Sequence, residues 1–205
     1  IDVGIAEAEA VASAAGMAYQ GAHPVVALYA TFLNRGFDQL LMDVALHRAG
    51  VTFVLDHAGV TGADGASHNG VWDIAMCSMI PGLRLAAPRD EETLRARLRE
   101  ALDVDDAPTV IRYRKGSLPE PMPALRSVGG VDILFDEVVA DSSARVLIVG
   151  TGACAPDAIE AARHLAADGV SVTVADPQWM IPISSDLATL AGDYDCVVSV
   201  EDGIV

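Results

Sequence analysis

The segment His57-Ala58-Gly59-Val60-Thr61-Gly62-Ala63-Asp64-Gly65-Ala66-Ser67-His68-Asn69-Gly70 packs four glycines, two histidines and an aspartate into fourteen residues. Glycines let a backbone approach a ligand closely, and loops on a rigid sheet commonly carry sites. Asp64 and His68 have the chemistry of metal ligands or of an acid/base pair. They equally suit a turn that hydrogen-bonds to itself. Two other stretches place polar groups just after apolar runs: Ala6-Glu7, and Tyr29 through Arg35. Lys115, the one lysine beside twelve arginines, stands in Arg112-Tyr113-Arg114-Lys115-Gly116. It offers a point charge for an anion, or a solvated end to a strand.

Elements that would position these residues follow from the apolar pattern. Short apolar runs alternate with amphipathic stretches, the signature of a parallel sheet flanked by helices, so the expected fold class is α/β. Strands are expected at Asp2–Ile5, Pro24–Tyr29, Val51–Leu55, Leu83–Ala86 and Thr109–Tyr113. Helices are expected at Ala6–Gln20, at Phe32–Arg48 with Leu33, Phe37, Leu40, Leu41 and Val44 on one face, from Trp72, and at Glu91–Leu102 capped by Asp90. In open parallel sheets ligands bind beyond the carboxyl ends of the strands, where Glu7, Tyr29–Arg35, His57–Gly70 and Lys115 would all stand. Pro119, Pro121, Pro123, Gly129 and Gly130 then read as a linker. A second unit repeats the pattern with strand Arg145–Val149, helix Ala155–Asp168, strand Ser171–Ala175, a short helix near Asp186–Ala191 and strand Cys196–Val200. The expected division is 1–119, a linker at 120–130, and 131–205.

Composition narrows the function classes. A net charge of −16 argues against nucleic acid as a partner, while a few local cations can still hold a phosphate. No apolar run reaches the roughly 18 residues of a membrane span. The three cysteines form no C-x-x-C and read as reduced thiols of a cytoplasmic protein. Without a starting Met, the chain reads as beginning in mid-protein, and it stops directly after a strand.

The ordered motifs resemble a known family. Ala6-Glu7, Tyr29-Ala30-Thr31-Phe32-Leu33-Asn34-Arg35-Gly36-Phe37-Asp38-Gln39 and Gly62-Ala63-Asp64-Gly65-Ala66-Ser67-His68-Asn69-Gly70 resemble the pyrimidine-binding domain of the 1-deoxy-D-xylulose-5-phosphate synthase family, transketolase-like enzymes that use thiamine diphosphate. The resemblance continues through Ile80-Pro81-Gly82, Ala87-Pro88-Arg89-Asp90 and Arg112 to Gly116. From about Val131 it runs on into a transketolase C-terminal-like domain. It implies that Glu7, otherwise a helix N-terminal carboxylate, hydrogen-bonds N1′ of the aminopyrimidine. It implies that Phe32, otherwise core, stacks on that ring, and that Arg35, otherwise a solvated charge, lies near the cofactor. Tyr29, His57 and Lys115 would grip the phosphate of glyceraldehyde 3-phosphate. Asp64 and His68 would face the reacting carbons of pyruvate and that acceptor.

Three positions depart from the family pattern, which commonly has arginine where His57 and Lys115 stand and histidine where Glu9 stands. The family's metal motif begins Gly-Asp-Gly in a separate N-terminal domain, and no Gly-Asp-Gly occurs here. Mg2+ is therefore expected outside this chain, which by itself should be inactive. The resemblance further implies a homodimer. A competing signal lies in Gly150-Thr151-Gly152-Ala153-Cys154-Ala155 with Asp176 downstream. That is a G-x-G-x-x-A with a following acid, the fingerprint of an NAD-dependent oxidoreductase. The same turn also serves tight packing of a helix on a strand.

Overall fold

The computed structural model describes residues 1–117 and 119–204. Two compact units emerge, one of Ile1–Ala86, Leu94–Ser117 and Asp202–Val205, the other of Ala87–Thr93 and Leu118–Glu201.

The first unit is built on strands β1 (Val25–Tyr29), β2 (Thr52–Ala58), β3 (Arg84–Ala86) and β4 (Thr109–Arg114), in the spatial order β1-β2-β4-β3. These strands pair in parallel, β1 with β2, β2 with β4 and β4 with β3. Parallel strands are covered on both faces, so they read as continuous apolar runs. Phe53, Leu55, Leu85, Val110 and Ile111 are indeed fully buried. Helix α1 (Glu7–Ala18) covers the sheet with Val11, Ala14 and Ala15. Two expectations change here. Asp2–Ile5 is not a strand: Gly4 adopts φ +63° and donates its N–H to Asp2 Oδ1 at 2.8 Å, an Asx turn that ends extension.

The helix expected over Phe32–Arg48 is broken into a 3-10 segment (Ala30–Arg35), a short α2 (Phe37–Gln39) and a π-helical turn (Leu40–Ala45). Leu33, Leu40 and Val44 still reach the core. The break falls at Gly36, where a Cβ would lie 2.8 Å from Val11 Cγ2 and 3.4 Å from the Glu7 carbonyl oxygen. Close approach to α1 dictates the local geometry. Helix α3 (Asp73–Ser78) follows the glycine-rich loop. In α4 (Glu91–Leu102), the Asp90 carboxylate accepts the Thr93 N–H at 2.9 Å, the expected N-cap.

The second unit is a mixed sheet in the order β10-β7-β8-β6-β5. It comprises β5 (Arg126–Val128), β6 (Val131–Glu137), β7 (Arg145–Gly150), β8 (Ser171–Asp176) and β10 (Cys196–Val200), with the extended segment β9 (Trp179–Ile181) in the same unit. Strands β10, β7 and β8 are parallel, while β6 runs antiparallel to β8 and to β5. The strand β5 lies within the stretch read from sequence as linker. Helix α5 (Ala155–Ala167) packs Ala155, Ala158 and Ala162 on Leu134, Ile148, Val172 and Val174. Helix α6 (Ser185–Ala191) offers Leu187 and Leu190 to Val131, Ile133, Leu147 and Val149. Neighbouring residues of β6, β7 and β8 thus serve two separate cores, as the period of two requires.

Candidate active site

Every candidate residue of the first unit stands at or beyond the carboxyl end of a strand or at a helix start. Glu7 opens α1 and is 7% exposed. It sits where a helix N-terminus favours a negative charge, and Arg35 Nη1 lies 3.4 Å from its Oε1. Beside it is a cleft of about 610 Å³, whose walls include Ala27, Leu28, Tyr29, Phe32 and Val54. Asp2, Glu7 and Asp56, with Tyr29 and Tyr113, are the lining residues that carry polar side-chain groups.

Aromatic rings line up along one side. Tyr29 and Phe32 are parallel with centroids 6.0 Å apart, and Tyr29 stacks on His57 at 3.9 Å. Phe32 meets the edge of His68 at 5.4 Å, and the Arg35 guanidinium lies over the Phe32 ring at 4.5 Å. The position of His57 has a backbone cause. Strand register shifts between Leu55 and Ala58, and His57 takes φ +58° within that bulge. A bulge re-aims the side chain it carries. Tyr29 pairs with Asp56 across the ladder, so the re-aimed imidazole lands on the tyrosine. Its Nδ1 lies 2.9 Å from Asp56 Oδ1.

The loop 59–70 is closed at its base, where Gly59 donates its N–H to the Gly70 carbonyl at 2.8 Å. Gly70 must be glycine, because a Cβ would lie 2.5 Å from both Ala30 Cβ and the His57 oxygen. Inside the loop, Asn69 Oδ1 accepts from the Thr61 N–H and hydroxyl, and the Ser67 carbonyl accepts from Thr31 Oγ1 at 3.0 Å. Asp64 and His68 each end a single 3-10 turn. Lys115 Nζ donates to Asp64 Oδ2 at 2.5 Å. That bond, with further help from the lysine, His57 and His68 charges, holds the Asp64 carboxyl below the usual carboxylate range. The structure therefore joins Glu7, Arg35, Phe32, Tyr29, His57 and His68 through successive contacts, and separately pairs Asp64 with Lys115. Of these, Glu7, Tyr29 and Phe32 line the cleft, and Arg35, His57, Asp64, His68 and Lys115 do not. Among the described residues, no group of three His, Cys, Asp or Glu side chains is arranged to hold a metal, and no helix is long and apolar enough to cross a membrane.

One part of the site escaped sequence reasoning. Arg112, 4% exposed, donates from Nε to Asp73 Oδ2 at 2.7 Å and from Nη1 to Asp202 Oδ1 at 2.6 Å. Burial would favour losing the guanidinium proton, but the two carboxylates raise its pKa further above the usual value. Its partners are 39 and 90 residues away in sequence, so no local pattern announces them.

The dinucleotide fingerprint of the second unit has a structural use. A Cβ at Gly150 would meet Ala158 Cβ at 2.6 Å, and one at Gly152 would meet Ala87 Cβ at 2.9 Å. The space a pyrophosphate would approach is filled by protein. Asp176 is fully buried, accepts from Arg89 Nη1 at 2.8 Å and from the Gln178 N–H at 2.9 Å, and is pushed up to about 6 by its burial. A carboxylate so enclosed is not available to a ribose, and the oxidoreductase alternative loses both its elements.

With this geometry in place, similarity to known proteins supplies the class. The chain belongs to the transketolase pyrimidine-binding domain family, whose model matches residues 1–121, and the transketolase C-terminal domain model matches residues 137–205. Among solved structures it is similar to a split-gene transketolase described as an inactive beta4 tetramer (TM-score 0.82, 28% identity, 99% of this chain and 65% of that one). Transketolase from Leishmania mexicana shares the fold at TM-score 0.81 and 22% identity, over 97% of this chain and 30% of that one. The curated relatives are more particular. The chain is 59% identical over 203 residues to 1-deoxy-D-xylulose-5-phosphate synthase 2 of Kitasatospora griseola, covering 98% of this chain and 32% of the relative. It is 54% identical over 206 residues to 1-deoxy-D-xylulose-5-phosphate synthase of Corynebacterium glutamicum, covering 100% of this chain and 33% of that protein. The chain thus spans about a third of the length of the curated relatives it matches.

Proposed function

We propose that this chain is the pyrimidine-binding and C-terminal portion of a 1-deoxy-D-xylulose-5-phosphate synthase. The complete enzyme would condense pyruvate with glyceraldehyde 3-phosphate, releasing carbon dioxide and forming 1-deoxy-D-xylulose 5-phosphate for isoprenoid, thiamine and pyridoxal precursors. The observation that carries this reading is the buried Glu7 carboxylate beside the Phe32 ring at an apolar cleft. That combination fits an aminopyrimidine, which needs one acceptor for a ring nitrogen proton and one flat apolar face.

Bound thiamine diphosphate would supply an acidic thiazolium carbon that takes up the pyruvate carbonyl carbon. The chain's own residues would do the rest. Glu7 holds a proton at N1′ of the pyrimidine, which favours its imino form, and help of this kind contributes about 10²–10⁴-fold. Phe32 stacks on the ring, and Arg35 restrains both Phe32 and Glu7. Asp64 and His68 handle protons at the donor and acceptor carbons. Lys115, with Tyr29 and His57, receives the acceptor's phosphate; a lysine is a competent point-charge binder there, though without the bidentate geometry of arginine.

Mg2+ and the diphosphate belong, in this reading, to a domain outside the chain, and the working enzyme is a cytoplasmic homodimer. The chain alone is expected to be inactive. The test is Glu7→Gln in the complete enzyme. Thiamine diphosphate affinity should stay within about tenfold while exchange of the cofactor's C2 proton slows by about 10²-fold or more. Unchanged exchange would remove Glu7 from the mechanism and the reading with it.

A further inference from the structure

The neck of the 59–70 loop is held by a segment that follows it by more than a hundred residues in sequence. Asp202 places Oδ1 2.6 Å from Arg112 Nη1 and Oδ2 3.4 Å from Arg114 Nε. Its carboxylate rests against Gly59, where φ is +75° and a Cβ would fall 2.2 Å from Oδ2. Two residues on, the Ile204 N–H donates to the Val71 carbonyl at 2.8 Å. Gly59 opens the loop and Val71 directly follows its last residue, Gly70, which accepts the Gly59 N–H. Arg112 also grips Asp73, just past the neck, at 2.7 Å. One buried guanidinium therefore ties the loop's exit to Asp202, while Asp202 and Ile204 touch both of its ends.

We propose that Asp202 is a positioning residue: it fixes the neck of the loop and, through it, the places of Asp64 and His68. Asp202 is not among the residues that line the cleft and takes no part in proton transfer. Its carboxylate shares the buried charge of Arg112 with Asp73, and a buried charge robbed of a partner is costly enough to drive local rearrangement. Local opening of this kind is selective, since cooperative subunits of a structure open with separate free energies. The kinetic half of the proposal rests on the function proposed above.

Asp202→Asn keeps the shape and removes the charge. By hydrogen exchange on this chain, the Gly59 and Ile204 amides should exchange roughly tenfold faster or more, while the core amide of Phe53 stays put. Asp202→Glu, which restores the charge, should bring both amides back toward their original rates. In the complete enzyme, Asp202→Asn should lower turnover of pyruvate and glyceraldehyde 3-phosphate roughly tenfold. Exchange of the C2 proton of bound thiamine diphosphate, which depends on Glu7, should be unchanged. Equal acceleration of all three amides, or of none, would overturn the positioning role, as would a parallel fall in turnover and C2-proton exchange. Absence of that turnover in the unsubstituted complete enzyme would refute the proposed reaction instead, leaving the amide measurement to decide Asp202.

Discussion

Two glycine-bearing turns follow parallel strands in this chain, and they meet opposite surroundings. After β7, the missing side chains of Gly150 and Gly152 are replaced by Ala158 and Ala87, and the downstream Asp176 is sealed by Arg89. After β2, Gly62 and Gly65 have no heavy atom within 4 Å of where a Cβ would stand, and both take positive φ. The first turn uses glycine so that a helix can approach its strand. The second uses it to bend a loop that leaves Asp64 and His68 accessible. Glycine spacing is the same kind of signal in both, so the distinguishing fact is what lies opposite the absent Cβ. Only tertiary structure supplies that.

The largest effect that separates the two turns concerns Lys115. If the loop after β2 serves a phosphorylated substrate, Lys115→Ala in the complete enzyme removes a charged hydrogen bond of about 1.5–3 kcal/mol. Glyceraldehyde 3-phosphate should weaken by roughly 10- to 150-fold, while the KM for pyruvate, which has no phosphate, barely moves. Lys115→Arg should keep most of the affinity. Equal weakening of both substrates, or of neither, would reduce Lys115 to the solvated strand end that its sequence position also allows.

The turn after β7 should respond through stability instead. Gly150→Ala drives a methyl into Ala158, and overpacking of this kind costs about 1–3 kcal/mol. Thermal unfolding should register it at about 2–4 °C per kcal/mol for a chain of this size, with C2-proton exchange of the complete enzyme unchanged. Calorimetry with millimolar nicotinamide cofactors should give no heat of binding. A micromolar dissociation constant that vanishes in Asp176→Ala would return this turn to ligand use and erase the contrast.

The parallel strands of the first unit were legible because burial on both faces leaves continuous apolar runs, as in Phe53–Leu55 and Val110–Ile111. The N-cap at Asp90 was legible because a carboxylate before a charged helix has one local use. Strand β6 was not, because Asp132 and Asp136 interrupt its apolar pattern. In the fold they bind Arg89 and Thr173, 43 and 37 residues away. The break at Gly36 was hidden for a similar reason: its cause is Val11 on another helix. Among the candidate site residues, Glu7, Tyr29, Phe32 and His68 were picked out by ordered motifs that resemble the family's. Arg112 stands in one of those motifs, but its pairing with Asp73 and Asp202 had no local signal, since the partners lie 39 and 90 residues away.

The smallest predicted effect is a titration, and it tests whether the loop after β2 is poised for an anion. Lys115 holds Asp64 at 2.5 Å, and this hydrogen bond is the leading cause of the lowered Asp64 pKa. A folded pKa below the unfolded value means the pair contributes at pH values above the unfolded one. The contribution is lost as pH falls through the depressed folded pKa. Both partners are partly exposed, so global stability should scarcely change. The reporter is the Asp64 side-chain carbon followed by NMR against pH. Its midpoint should rise in Lys115→Ala, because the chief acid-strengthening contact is gone. It should also rise, by less, when inorganic phosphate draws the ammonium away from the carboxylate. A midpoint that moves in Lys115→Ala but ignores phosphate would leave the ion pair real and the phosphate role without support. A midpoint indifferent to both would show that the pair does not persist in solution.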